Sequence, residues 1–252
     1  MDINNYKSFI NKKYLPKTIF VVILFFVILF IFPPLAMIIL IAYFSYVSNL
    51  IHKNFMKDYA KINKLKFSEK IDLNSFSGKL FSNGSSRRAR NIIHGQYEEL
   101  PIKIFNYFYS TGSGKSRRTH SFTVLEIVIE KTQFPYIFLR SKTMMRNFFN
   151  KESKISLEDE YSKHFELFCT EDYEIEVLQI FTKKLLDLLV EKGNKFSIEF
   201  SKNKIYFYDD LVIRNKKQLD ELYNVVKKVI EKTGPLLHRL HDDFDAMHNS
   251  YN

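Results

Sequence analysis

The chain has 252 residues and a net charge of +10, enough for one soluble domain together with a membrane segment. The charge is unevenly placed, since residues 1–70 hold ten lysines against three acidic residues, a net +7. A nucleic-acid-binding protein is expected to carry its basic excess on the folded domain, so this distribution excludes nucleic acid as the predicted partner.

The first predicted element is an apolar run over residues 18–51, which contains no Asp, Glu, Lys, Arg or His. At about 1.5 Å per residue, one helix over this run would be about 51 Å long, whereas the hydrocarbon core of a bilayer is about 30 Å thick. Pro33 and Pro34 stand near its middle, and adjacent prolines disfavour a continuous helix. The sequence therefore predicts a membrane hairpin with arms Thr18–Phe32 and Leu35–Ile51.

Lysines flank both outer ends of the apolar run, and none stands at its central break. The positive-inside rule then places both flanks in the cytoplasm, with residues 1–17 as a cytoplasmic N-terminus. The soluble part is predicted to face the cytoplasm from the inner membrane. A single span remains the alternative, although it would leave one basic flank on the wrong side. A cleaved signal peptide is disfavoured because its apolar core is usually only about 7–15 residues long.

Residues 52–71 are rich in lysine and carry apolar side chains at helical spacing, among them Phe55, Met56, Tyr59 and Ile62. This pattern predicts a juxtamembrane amphipathic helix. Its basic face either contacts the lipid surface or belongs to a helix that packs on the soluble domain, and the pattern does not separate the two.

A soluble domain is predicted over residues 72–235, after a loop rich in Ser and Gly at 72–86. Apolar residues alternate with polar ones in segments joined by short turns, which favours an antiparallel β meander. The predicted strands are Arg90–Tyr97, Leu100–Tyr109, Ser121–Glu130, Tyr136–Arg140, and a hairpin around Asn203 formed by Lys195–Phe200 and Lys204–Tyr208.

Two helices are predicted to pack on this meander, which makes the fold class α+β. One helix covers Asp172–Lys192, and the other runs from a capping Asn215 to about Lys232. Gly234-Pro235 is predicted to end the second helix, which leaves residues 236–252 as a C-terminal tail.

One basic cluster is the candidate for binding anions or lipid. If the strands pair as a meander, six residues share one edge: Arg87, Arg88, Arg90, Lys115, Arg117 and Arg118. On a membrane-tethered domain such an edge can contact anionic headgroups, and ordinary solvated turns are the alternative. The Gly-rich segment Thr111–Thr119 lacks the first glycine of a phosphate-binding loop, where Tyr109 stands, and a strand pattern follows it. It is therefore predicted to be a hairpin turn.

No other residue pattern predicts a catalytic, metal or cofactor site. His238, His241, Asp242 and Asp245 share one face of a terminal helix, but one short helix cannot easily enclose an ion, so they are weak metal candidates. Cys169 is the lone cysteine, which excludes an intrachain disulfide and fits a reducing compartment. Within His164–Thr170 it is predicted to be a buried strand residue. A nucleophilic role is disfavoured, because no neighbouring residue supplies a base.

Several strand and turn motifs resemble an uncharacterised bacterial family of membrane proteins. The matching segments are Asn91–Gly95, Lys103–Tyr109, Thr111–Lys115, Thr123–Glu126 and Phe165–Asp172. Members of that family pair an N-terminal transmembrane hairpin with a cytoplasmic domain of unknown function. The resemblance implies the same anchored layout and brings no catalytic residue with it.

Two functions of different classes follow from these patterns. The first is a membrane-anchored, non-enzymatic binding or scaffold module for a protein or an anionic lipid. The second is a membrane-bound enzyme that acts on a lipid or a phosphate ester through Arg117, Arg118 and His120. A pocket that gathers His or carboxylate groups near these arginines would favour the enzyme. The sequence does not indicate an oligomeric state.

Overall fold

The computed structural model describes residues 18–27, 29, 32–97, 100–129, 133–144, 153–192 and 195–250, with the side chains at 97, 100 and 235–250 outside this description. The chain divides into two compact units, Met1–Asn54 and Phe55–Asn252. Helices and an antiparallel sheet make up the described residues, so the predicted α+β class is confirmed.

The first unit contains helix α1 (Thr18–Val27) and the first part of helix α2 (Pro33–Ile62). The amides of Leu35 and Ala36 both donate to the carbonyl of Phe32, at 3.1 and 3.3 Å, so Pro33 opens the first turn of α2. A missing N–H costs nothing at that position, because the first amides of a helix have no intrahelical partner. Within the described residues, α2 is long and apolar enough to cross a membrane, and α1 is a shorter apolar helix.

The prediction of a separate helix over residues 52–71 is wrong, because part of this segment belongs to α2 and part of it to a strand. The helix continues past Ile51 to Ile62 without a break, and the chain then turns at Lys64, whose φ is +57°. The next residues form strand β1 (Lys66–Lys70), which was predicted as helix. The apolar spacing was helical as far as Ile62, but Leu65 and Phe67 pack against the sheet core from an extended chain.

The second unit is built on an antiparallel sheet, in which nine strands belong to the described residues. The strands after β1 are β2 (Ser85–Tyr97), β3 (Leu100–Thr111), β4 (Arg118–Val128), β5 (Phe134–Ser141), β6 (Ser153–Ile155), β7 (Phe165–Cys169), β8 (Phe196–Lys202) and β9 (Lys204–Asp209). Their order across the sheet is β1-β2-β3-β4-β9-β8-β5-β7-β6. Among the described strands, β1 to β4 form a continuous meander, and the β8–β9 hairpin lies between β4 and β5.

The helices of this unit are α3 (Asp159–Ser162), α4 (Glu174–Ile180), α5 (Lys183–Glu191) and α6 (Lys216–Ser250). The single helix predicted over Asp172–Lys192 is therefore two helices. The break allows Phe181, which ends α4, to pack edge-to-face against Phe200 of the sheet, with ring centroids 6.2 Å apart.

The prediction that the second helix ends at Gly234-Pro235 is wrong, because α6 runs through both residues to Ser250. The separate tail predicted over residues 236–252 therefore belongs to α6 as far as Ser250. A residue before proline is normally kept out of the helical region by its own Cβ, and Gly234 has none. The cap at the other end is as predicted, because the Asn215 side chain accepts the amide of Gln218 at 2.9 Å.

The sheet has two buried faces with different covers. The face covered by α4, α5, α6 and the end of α2 is called the helix face, and its core includes Ile104, Leu125 and Phe207. The other face is covered by residues 72–84, called the strap, which contain two 3-10 turns at Leu73–Ser75 and Lys79–Ser82. This strap face carries a second, aromatic-rich core that includes Phe105, Tyr107 and Tyr208.

Candidate functional site

The six predicted basic residues all lie at one end of the β2–β3–β4 meander. Arg87, Arg88 and Arg90 belong to β2, and Lys115, Arg117 and Arg118 lie in or beside the turn between β3 and β4. Arg88 is opposite Phe108, and Arg118 is opposite Thr111, so the register brings both groups to the same end of the sheet.

The alternation of side chains along the strands divides this cluster between the two faces. Arg88 and Arg90 flank Ala89, which belongs to the strap-face core, so both arginines point to the helix face. Arg117 reaches the same face, where its guanidinium donates to Ser86 Oγ at 2.8 Å and to Ser110 Oγ at 3.4 Å.

The remaining members point elsewhere. Arg87 donates to the strap carbonyl of Phe81 at 2.8 Å. Arg118 alternates with Arg117 and lies on the strap face with His120, whose ring stacks on Tyr109 with centroids 4.8 Å apart. Lys115 is exposed at the tip of the turn. The set formed by Arg88, Arg90 and Arg117 is called the arginine face.

The arginine face is a concentration of positive charge, and the described part of the chain gives it no acidic partner. None of its three guanidiniums forms an ion pair within the described residues. Burial lowers the pKa of Arg88 first, and the charges of Arg90 and Arg117 lower it further. Arg88 lies over the ring of Phe108, 5.1 Å from its centroid, and its Nε atom is shielded from solvent without a hydrogen-bond partner in the described residues.

This geometry bears on the enzyme hypothesis, which needs Arg117, Arg118 and His120 to act together. Arg117 points to the helix face, whereas His120 points to the strap face and bonds Thr111 Oγ1 through Nε2 at 2.8 Å. Burial lowers the pKa of His120, and the nearby Arg118 lowers it further. The sheet therefore separates Arg117 from Arg118 and His120, and the described residues contain no carboxylate paired with this histidine.

The Gly-rich segment forms the predicted turn between two antiparallel strands. Gly112 and Gly114 have φ of +73° and +53°, and residues Gly114–Ser116 form a 3-10 turn that leads directly into β4. A phosphate-binding loop would instead lead into a helix whose first amides point at the phosphate.

No metal cluster of three or more His, Cys, Asp or Glu occurs among the described side chains. The backbones of His238, His241, Asp242 and Asp245 lie within α6 at the predicted spacing, but their side chains are outside the described part of the structure. Cys169 ends β7 and is fully buried, as predicted, and burial raises its pKa to about 11.

A cavity of about 480 Å³ lies between α5, β8 and α6, lined by residues that include Phe196, Glu221 and Lys228. It contains none of the predicted site residues. Its lining is mixed, with two acidic and two basic side chains.

Sequence reasoning missed two buried carboxylates on the strap face. Glu199 of β8 is fully buried, where one oxygen accepts the amide of Lys79 at 2.6 Å and the other accepts the Tyr208 hydroxyl. Glu126 of β4 accepts the ammonium groups of Lys103 at 2.6 Å and Lys204 at 3.3 Å. Both glutamates alternate with apolar residues, a pattern typical of a solvated face, and only the strap makes that face an interior.

No protein-family model matches the chain, and no curated protein matches it. The resemblance to an uncharacterised bacterial family therefore stays a prediction. Among solved structures, the chain is similar to the mycobacterial trehalose monomycolate transport factor A, TtfA, with a TM-score of 0.56 and 14% sequence identity. The match covers 72% of this chain and 93% of that one. A likeness at this identity shows a shared fold and nothing more specific.

Proposed function

We propose that this protein is a membrane-anchored, non-enzymatic binding module, and that its arginine face binds the anionic headgroups of membrane lipids. The observation that carries the proposal is the group of three guanidiniums on one face with no acidic partner among the described residues. The name of the structural neighbour, a transport factor, is compatible with such a role.

Folding leaves the charges of these three guanidiniums without an acidic partner in the described residues. Three like charges repel one another, and a protein normally relieves this repulsion with carboxylates or with a bound anion. Guanidinium groups bind phosphate through paired N–H donors, and each basic residue near an anionic membrane contributes about 1 kcal/mol of attraction. Arg90 and Arg117 are exposed, so an anion can reach them.

The membrane anchor is supported by the exposure of apolar side chains on α2. Ile38, Ile41 and Phe44 are 63%, 64% and 56% exposed, an unfavourable state in water and a favourable one in lipid. In the first unit, Thr18 Oγ1 lies 2.8 Å from the hydroxyl of Tyr43, so α1 and α2 contact each other as the arms of a hairpin do. Together with the lysine flanks, this contact supports a hairpin whose soluble domain faces the cytoplasm.

The test uses the full chain in nanodiscs, with a fluorophore at Ser113→Cys beside the arginine face. We expect headgroup-quencher lipids to quench it when the nanodisc contains phosphatidylglycerol, and much less when phosphatidylcholine is the sole bulk lipid. Arg88→Gln with Arg90→Gln should abolish the difference, and high salt should weaken it because exposed charges are screened.

The matched control is Lys216→Gln with Lys217→Gln, which removes the same charge from two exposed lysines at the start of α6. If this control lowers quenching as much as the arginine pair does, the effect belongs to net charge, and the proposed role of the arginine face is wrong.

A protein partner is a second candidate, favoured by helix α4. Ile175 and Leu178 are 71% and 44% exposed there, beside the acidic residues Glu171 and Glu174. The test is purification of the full chain from native membranes in mild detergent, with mass spectrometry of the bound proteins. A partner that is lost when Ile175→Ser and Leu178→Ser are combined supports this candidate, and recovery of the same proteins with both chains contradicts it.

A further inference from the structure

The arginine face contains hydrogen-bond donors as well as charge. Ser110 and Thr119 are opposite each other on β3 and β4, with their hydroxyl oxygens 3.3 Å apart. Ser121, opposite Phe108, projects on the same side. These three hydroxyl groups thus project on the same side of the sheet as the side chains of Arg88 and Phe108.

Three contacts hold the guanidiniums of Arg88 and Arg117 in place before any ligand binds. The Phe108 ring supports Arg88 at 5.1 Å, and the hydroxyls of Ser86 and Ser110 accept N–H groups of Arg117 at 2.8 and 3.4 Å. A guanidinium has five N–H donors, so most of those on Arg117 remain available to a ligand. Groups that are already oriented lose less entropy when they bind.

A face of this kind distinguishes between two kinds of lipid phosphate. A phosphate diester, as in phosphatidylglycerol, has one negative charge and two free terminal oxygens. A phosphate monoester has a charge of about −1.5 to −2 at neutral pH and three strong acceptor oxygens. Three guanidiniums without a counter-charge among the described residues attract the second ligand about 1.5 to 2 times as strongly, because Coulomb energy scales with the product of the charges.

Resting on the proposed function, we infer that the arginine face is a site for the phosphate monoester headgroup of a membrane lipid such as phosphatidic acid. Arg88 and Arg117 bind its oxygens through paired N–H groups, and Arg90 supplies the third charge. The adjoining hydroxyls of Thr119 and Ser121 complete the donor set. Soluble phosphate monoesters present the same chemistry, so the test has to separate the two sources.

The experiment is native mass spectrometry of the full chain in detergent, with phosphatidic acid and phosphatidylglycerol added at equal concentration. We expect phosphatidic acid to be retained about tenfold more, a factor that corresponds to about 1.4 kcal/mol. Arg88→Gln should lower that retention about tenfold, as the loss of a charged hydrogen bond does. Arg88→Lys keeps the charge but not the paired donors. Its preference for phosphatidic acid over phosphatidylglycerol should therefore be lower than that of the wild type.

The matched control is Arg118→Gln, which removes one charge from the same hairpin on the strap face and should leave the preference unchanged. Amide hydrogen exchange of β3 reports whether each variant keeps the meander. An intact β3 with unchanged lipid retention in Arg88→Gln overturns the inference.

The remaining outcomes separate this inference from the proposed function. Equal retention of both lipids, lost in Arg88→Gln, means that the face responds to charge alone, which overturns the inference and leaves the proposed function standing. Retention of neither lipid above the level of the Arg88→Gln, Arg90→Gln double variant overturns both. If glycerol 3-phosphate binds as tightly as phosphatidic acid, the lipid source is overturned and the ligand is a soluble monoester.

Discussion

At the scale of single residues, Glu199 and Glu126 show two ways to bury a carboxylate on the same sheet face. Glu126 has two lysine ammonium groups as partners, whereas Glu199 forms no ion pair within the described residues and relies on the Lys79 amide and the Tyr208 hydroxyl. Burial raises the pKa of Glu199, and its hydrogen bonds offset only part of that shift. The two residues should therefore respond oppositely to replacement by glutamine.

Glu199→Gln should make the protein more stable than the wild type as the pH rises. The ordinary carboxyl pKa is 4.5, and the folded value lies above it, so between the two values the folded state binds more protons than the unfolded state. The free energy of unfolding of the wild type then falls with pH by up to about 1.4 kcal/mol per unit, and glutamine does not titrate. Thermal unfolding of both chains in one detergent, from pH 4.5 upward, measures the difference.

Glu126→Gln is the matched control, because it makes the same chemical change on the same face. It should destabilise the protein by about 1–3 kcal/mol near neutral pH, since it leaves two largely buried ammonium groups without their carboxylate. If both substitutions shift the melting temperature in the same direction near neutral pH, the assignment of Glu199 as the uncompensated acid is wrong.

At the scale of elements, the strap is the segment that turns an exposed sheet face into an interior. Its buried residues are few, chiefly Gly78, Leu80 and Phe81. Polar contacts also hold the strap against the sheet. The Ser77 amide donates to the Tyr206 hydroxyl at 3.1 Å, and the Lys79 amide donates to Glu199. The strap is therefore held at specific points, and at Gly78 its backbone lies close to the side chains of Glu199 and Tyr208.

Gly78→Ala should lift the strap from the sheet. A Cβ there would stand 2.7 Å from both Glu199 Oε2 and the Tyr208 hydroxyl, although the backbone, with φ of −67°, suits any residue. We expect a loss of about 1–3 kcal/mol from overpacking. Hydrogen exchange should show the Ser77 and Lys79 amides opening faster than those of β8 and β9.

The control for this substitution is Gly114→Ala at the tip of the β3–β4 turn. A Cβ there meets nothing within 4 Å, but φ of +53° costs about 1 kcal/mol in a residue other than glycine. It should lower stability without making the strap amides exchange ahead of β8 and β9. Exchange of the strap in step with the strands in Gly78→Ala would contradict the prediction.

The sequence predicts several individual elements, but it does not predict the order of the strands in the sheet. The β3 and β4 strands, the β8–β9 hairpin and the Asn215 cap were predictable because alternation, turn residues and capping are local signals. The insertion of β8–β9 between β4 and β5 was not, since strand order depends on contacts between residues far apart in sequence.

The candidate site was predictable in part for the same reason. The sequence predicted that six basic residues share one edge of a meander. In the structure they lie at one end of the meander, and their role in binding stays a prediction. Their division between faces needed the phase of β2, which has register shifts at Ser85–Arg88 and Arg90–Ile93. A shift of one residue reverses the face of every following side chain, so the structure was required to show which face Arg87 occupies and which face Arg88 occupies.

At the scale of the whole molecule, the proposal depends on an anchor that returns to the side from which it entered. The contact of Thr18 with Tyr43 and the start of α2 at Pro33 fit two arms joined at a turn. A hairpin also keeps both lysine-rich flanks on one side, whereas a single span would place one of them outside. The two topologies differ in where the chain ends lie.

Cysteine labelling in right-side-out membrane vesicles should separate these topologies. The native Cys169 gives little background, because it is buried and burial raises its pKa to about 11, so almost no thiolate forms near neutral pH. An impermeant maleimide should label Phe32→Cys in intact vesicles, since this residue precedes α2 at the proposed far side and is 56% exposed. It should label Ser8→Cys and Ser250→Cys only after the vesicles are permeabilised. Protection of Ser250→Cys with labelling of Ser8→Cys, or the reverse, would establish a single span, and labelling of all three positions in intact vesicles would place the soluble domain outside the cytoplasm.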